Sequence, residues 1–106
     1  MNSEELVTVI VDALEEIKAY DIDVINVAKL TSMFDYIIIA SADSTRQTKS
    51  LANNVHEKVK AAGGKTSSVE GEQTGEWLLV DLGDVIVHIM LPSAREYYNL
   101  KALWTR

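Results

Sequence analysis

The chain has 106 residues, and 16 Asp+Glu against 10 Lys+Arg give it a formal net charge of −6. That length predicts one domain, and 47% hydrophobic with 25% charged residues is a globular composition that excludes intrinsic disorder. Without cysteine there are no disulfide staples, thiolate nucleophiles or Cys-based metal centres. No apolar run approaches the ~20 residues that span a bilayer, and the acidic start Met1-Asn2-Ser3-Glu4-Glu5 carries no signal core, so a soluble, cytoplasmic protein is expected.

A first helix is predicted from Asn2 and Ser3, where Asn2…Glu5 has the reciprocal capping spacing. Leu6, Val7, Ile10, Leu14 and Ile17 then recur at helical spacing through about residue 19. Ile22–Lys29 alternates as a strand. Phe34–Ser41 holds the unbroken run Tyr36-Ile37-Ile38-Ile39-Ala40, the pattern of a strand covered on both faces. Ser44-Thr45-Arg46-Gln47 reads as a capping box opening a second helix. Leu51, Val55 and Val59 form its apolar stripe, and Gly63-Gly64 its left-handed stop. Lys65–Val69 is a weak strand, followed by the polar loop Glu70–Gly75. Two strong strands follow, Glu76–Leu82 and Val85–Leu91, joined by the hairpin signal Gly83-Asp84. After Pro92, Ser93-Ala94-Arg95-Glu96 reads as another capping box, opening a short aromatic helix that reaches Trp104. The order αββαβββα predicts an α/β or α+β fold, with a mixed sheet of about five strands and helices packed on it.

The hairpin is the most informative segment. Counting outward from Gly83-Asp84 pairs Leu82 with Val85, Asp81 with Ile86, Val80 with Val87, Leu79 with His88, Leu78 with Ile89 and Trp77 with Met90. Alternation sorts Leu78, Val80, Leu82, Val85, Val87 and Ile89 onto one wholly aliphatic face, which is core. The other face carries Trp77, Leu79, Asp81, Ile86, His88 and Met90, the mixture of large and polar side chains found in recognition surfaces. The alternative is that the last helix covers this face and Asp81 pairs with His88 beneath it.

Charge is unevenly spread. Residues 1–43 hold nine acids against Lys18 and Lys29 alone, whereas residues 44–106 hold seven acids and eight bases. An acidic half repels phosphate and disfavours direct nucleic-acid binding as the main activity, while suiting a basic protein partner or simple solubility. The cations Arg46, Lys49, Lys58 and Lys60 of the second helix lack interleaved aromatics and read as a solvated surface. An enzymatic alternative needs Asp35, Asp81 and Asp84, with His88, to converge for phosphoryl transfer. No Gly-rich phosphate loop or nucleophile elbow accompanies them, His56 sits in a helix remote from His88, and no metal site or cofactor is predicted. Tyr97, Tyr98, Leu100, Leu103 and Trp104 crowd the last helix on more than one face, which predicts a partner or dimer contact beside docking on the sheet.

At these same segments the sequence resembles the ribosomal silencing factor family, also called the Iojap-like family. The resemblance rests on Asp35-Tyr36-Ile37-Ile38, Ser44-Thr45-Arg46-Gln47, Val69-Glu70-Gly71-Glu72, Trp77 and the run Val80–His88. It ends on Arg95-x-x-Tyr98-x-Leu100-x-x-Leu103-Trp104, and the spacing of the last two pieces is specific. Ala42 departs from the family, which has glycine there. Spanning nearly all of residues 1–106, the resemblance implies one complete domain, like a nucleotidyltransferase fold without its active site. It implies a non-enzymatic translational repressor that binds the large ribosomal subunit through ribosomal protein L-fourteen and blocks subunit joining when nutrients are short. It also implies self-association as a homodimer. On this chain the expected partner contact is Trp77, Leu79, Asp81, His88 and Met90, flanked by Tyr98 and the Glu70-Gly71 loop. The contact lies in the near-neutral part of the chain, so the acidity of residues 1–43 is expected to act in steering and solubility.

Overall fold

The computed structural model describes residues 1–65 and 67–105; Thr66, within the weakest predicted strand, lies outside the described residues. Its elements are α1 (Ser3–Glu16), β1 (Tyr20–Asn26), β2 (Tyr36–Ser41), α2 (Thr45–Ala61), β3 (Ser68–Glu70), β4 (Trp77–Asp81), β5 (Val85–Met90), α3 (Pro92–Tyr98) and α4 (Leu100–Trp104). The strands form one five-stranded sheet in the order β1-β2-β5-β4-β3. Only β2 and β5 run parallel, at its centre. The expected mixed sheet of an α+β fold is therefore present. No helix among the described residues is long and apolar enough to cross a membrane.

Local chemistry explains the helix ends. At α1 the Glu5 amide donates to Asn2 Oδ1 at 2.8 Å and the Asn2 amide donates to Glu5 Oε1 at 3.3 Å, a complete capping box. Lys18, at φ 65°, reverses the chain behind the helix. At α2, Ser44 Oγ accepts from the Gln47 amide at 3.1 Å, but the Gln47 side chain does not close the box. It takes the Asp43 amide at 2.8 Å and donates to the Ile17 and Lys18 carbonyls, satisfying the end of α1. The box expected at Ser93 is absent. The third helix begins earlier, with Pro92 in its first turn and no side-chain cap, because proline has no N–H to satisfy there. The predicted single C-terminal helix is two short ones, divided at Asn99, which is left-handed at φ 46°.

Alternation in the sheet builds two cores. On one face α1 and α2 cover Ile38, Ala40, Leu78, Val80, Leu82, Val85, Val87 and Ile89 through Leu6, Ile10, Leu14, Leu51, Val55 and Val59. Ala42 is fully buried in this layer. On the other face α3, α4 and the segment after β1 cover only Val27, Ile37, Ile39 and Met90, using Phe34, Ala94, Leu100 and Trp104.

The thin second layer depends on Arg95. Its guanidinium donates to the Asp23 carboxylate, to the Asp21 carbonyl at a bulge in β1, and to Ser41 Oγ at 2.9 Å. Lys101 Nζ lies 3.2 Å from the same Asp23. Neither α3 nor α4 contributes a buried residue of its own, so this ion-paired clamp contributes much of their attachment. Arg95→Ala is expected to cost about 2 kcal/mol, read by urea denaturation, and to raise amide exchange selectively across residues 92–104.

Candidate functional site

The β4–β5 register is the one counted from the turn: Trp77 pairs with Met90, Leu78 with Ile89, Leu79 with His88, Val80 with Val87 and Asp81 with Ile86. Gly83, at φ +85°, takes the left-handed first position of the two-residue turn. The aliphatic face is core as expected. The opposite face is divided. Its side over β1, β2 and the end of β5 lies under α3 and α4, while its β4–β3 side stays open.

Met90 falls on the covered side. It is fully buried, so although its register is right it supports the face from beneath and presents nothing to a partner. The reason is tertiary: Ala94, Leu100 and Trp104 pack over it. The open side holds half-buried Trp77, Leu79 and Ile86 beside exposed Asp81, and the exposed Ser68 and Glu70 of β3 pair with Asp81 and Leu79.

An aromatic chain runs off this strip. Trp77 Nε1–H donates to His88 Nδ1 at 3.0 Å, with ring centroids 5.8 Å apart. Tyr98 lies against Trp77 at 4.6 Å, and Tyr97 meets Tyr98 edge-on at 5.0 Å. Tyr97 is 82% and Tyr98 53% exposed, so the cluster opens to solvent at one end. Tyr97, expected from sequence among the contacts of the last helix but not beside Trp77, joins this cluster because the two-piece helix turns it that way.

The pair of Asp81 with His88, part of the alternative reading of this face, does not form. Asp81 is exposed and its Oδ1 accepts from the Gly83 amide at 2.9 Å, stabilising the turn. His88 bonds to Trp77 instead. Burial lowers its pKa from 6.5 to about 4, so the ring is neutral at pH 7, with Nδ1 as acceptor and the proton on Nε2.

The loop before Trp77 is held closely. Gly71 has φ +94°, and a Cβ there would stand 2.1 Å from the Trp77 carbonyl oxygen. Thr48 Oγ1 donates to the Gly75 carbonyl at 2.6 Å, anchoring the loop to α2. At the strand end the Leu91 amide donates to the Glu76 carbonyl at 3.0 Å. Glu70-Gly71 therefore flanks the strip as expected, with Gly71 acting through the backbone of Trp77.

Two carboxylates of the enzymatic alternative are occupied separately. Asp35 accepts from Ser3 Oγ, whereas Asp81 serves the turn. Among the described residues no three His, Asp or Glu side chains are grouped to hold a metal ion. His56 Nδ1 lies 2.8 Å from Ser67 Oγ, a local contact between α2 and the approach to β3.

Comparison with known proteins places this arrangement. The family model described as "Ribosomal silencing factor during starvation" matches residues 1–106. The chain belongs to the ribosomal silencing factor family. A curated member, "Ribosomal silencing factor RsfS" of Chromobacterium violaceum, is 49% identical over 104 residues, covering 98% of this chain and 85% of that protein. A crystal structure of a Chromobacterium violaceum protein superposes with a TM-score of 0.95 at 49% identity, covering 98% of this chain and 87% of that one. A mouse relative, "Mitochondrial assembly of ribosomal large subunit protein 1", is 33% identical over 102 residues, covering 93% of this chain and 45% of that protein. The family's resemblance motifs have structural work in this chain: Arg95 clamps the second layer, Trp104 packs from α4 onto the small core, and Gly83 turns the hairpin.

Two outcomes are expected for this face. His88 has a lower pKa folded than unfolded, so its contribution to stability is complete above about pH 6.5 and is lost as pH falls towards 4. Wild type is expected to lose about 2 kcal/mol more than His88→Asn between pH 7 and pH 5 in urea denaturation. Gly71→Ala combines a left-handed φ with a backbone clash and is expected to cost about 2–3 kcal/mol, measured the same way.

Proposed function

We propose that this chain is a translational repressor of the cytoplasm that docks on the large ribosomal subunit through ribosomal protein L-fourteen and sterically blocks joining of the small subunit when nutrients are limiting. The observation that carries the reading is the family match along residues 1–106. The surface supports it with a strip of the kind that protein interfaces use: Trp77 and Tyr98 as aromatic anchors, Leu79 beside them, and Glu70 and Asp81 as acidic neighbours for a basic protein. His88 and Met90 lie beneath the contact rather than in it.

The acidic side chains of α1, Glu4, Glu5, Asp12, Glu15 and Glu16, are exposed on the layer across the sheet from the strip. At physiological salt the Debye length is about 8 Å, so they serve solubility and approach, while Glu70 and Asp81 supply charge at the contact. No step of this function calls for bond chemistry or a cofactor. Self-association as a homodimer belongs to the same reading, with exposed Tyr97 and Leu103 as the apolar surface it would use.

A second reading, assembly of the large subunit without silencing, is favoured by the printed name of the mouse relative. Co-sedimentation tests the shared premise. The protein is expected to travel with isolated large subunits and not with joined ribosomes. Leu79→Asp and Tyr98→Ala, at incompletely buried positions, are expected to weaken retention about tenfold or more with folding intact. Wild-type protein that fails to bind large subunits would dispose of both readings. If it binds, its ability to stop separated subunits rejoining distinguishes silencing from assembly.

A further inference from the structure

We infer that His88 is a positioning residue for docking: its Nδ1 holds the indole of Trp77 in the orientation in which the ring meets the partner. The inference rests on the reading of this face as the ribosomal contact.

His88 interrupts an otherwise apolar strand, Val85-Ile86-Val87-His88-Ile89-Met90, at a position only 7% exposed. A polar ring there costs folding free energy that an aliphatic side chain would avoid, unless its nitrogens are used. Its one hydrogen bond to protein among the described residues is the 3.0 Å bond accepted from Trp77 Nε1–H. The acceptor stands on rigid ground. His88 is paired with Ile39 of β2 on one side and Leu79 of β4 on the other, at the centre of the sheet.

Trp77 is the opposite case. It is the first residue of β4, half-buried, with loop on its N-terminal side. Its backbone is held through Gly71 and its register with Met90, but those contacts leave the side-chain torsions free. Packing against the small core limits the ring's position, the His88 bond fixes its rotation from below, and Tyr98, at 4.6 Å, restricts it from the side. A large side chain ordered before docking avoids part of the entropy loss at the interface. The bond also sets the chemistry displayed. Because the indole N–H is used internally, Trp77 offers its partner a ring surface for apolar or cationic groups and no hydrogen-bond donor.

Three variants separate this role from ordinary core packing. His88→Phe removes the acceptor and keeps a ring; His88→Asn places a carbonyl oxygen close to where Nδ1 stands; Trp77→Phe removes the donor. The protein has two tryptophans, so Trp104→Phe assigns the Trp77 indole proton by NMR. In wild type that proton is expected downfield and slow to exchange. His88→Phe is expected to shift it upfield and to lower affinity for large subunits about tenfold, and His88→Asn to restore most of both. In a Trp77→Phe background, His88→Phe is expected to add no further loss of affinity. An indole resonance unchanged by His88→Phe, or an affinity loss that persists in full in the Trp77→Phe background, would overturn the assignment. Wild-type protein that does not bind large subunits would overturn the docking role, whereas the NMR signature decides separately whether His88 holds the indole.

Discussion

The register between β4 and β5 is the constraint on which the remaining structure depends. In a sheet buried on one face, a slip of one residue exchanges every side chain between the two sides. The turn at Gly83-Asp84 prevents that slip, with Gly83 left-handed and Asp81 accepting from its amide. Leu78, Val80, Val87 and Ile89 consequently meet α1 and α2, while Trp77, Leu79, His88 and Met90 face the other way. β5 carries this order to the parallel strand β2, placing Ile37 and Ile39 on the same side as His88.

The second face is then governed by how little covers it. Two short helices, broken at Asn99, cover the face over β1, β2 and the end of β5, and Arg95 fastens them to Asp23 and Ser41. Where they end, Tyr98 leans on Trp77 and the strip of Trp77, Leu79 and Glu70 begins. One set of large C-terminal side chains thus serves both layers: Trp104 and Leu100 seal the small core, and Tyr97 and Tyr98 border the open strip. This division makes a thin protein layer into a boundary of the candidate docking site. It also explains why burial separates Met90 from its register partner Trp77.

The polar groups of this region have assigned local partners. No buried side-chain nitrogen or oxygen among the described residues lacks a partner, and the Asp81 and Asp35 carboxylates are engaged in a turn and with Ser3 respectively. His88 is neutral through burial, with a pKa near 4, and its acceptor nitrogen is committed to Trp77. Such an arrangement holds shape without moving protons at neutral pH. It suits recognition of a partner surface better than proton transfer.

Much of the fold was legible in the chain because it depends on short-range rules. The Asn2–Glu5 box, the apolar stripe of α2, the Gly63-Gly64 stop, the run through β2 and the hairpin register are set by neighbours within a few residues. So too are the residue set of the Trp77 face of the hairpin and the motifs that tie the chain to its family. What the sequence left open involves partners distant in the chain. Gln47 turns from its own box to the end of α1, Pro92 moves the start of a helix, and Asn99 divides it. Asp81 goes to the turn and His88 to Trp77 rather than to each other. Local pattern determined which side chains share each face of the sheet, since alternation and a two-residue turn suffice for that. Only the tertiary structure decided which of them reach solvent, because coverage depends on where helices distant in the chain pack and stop.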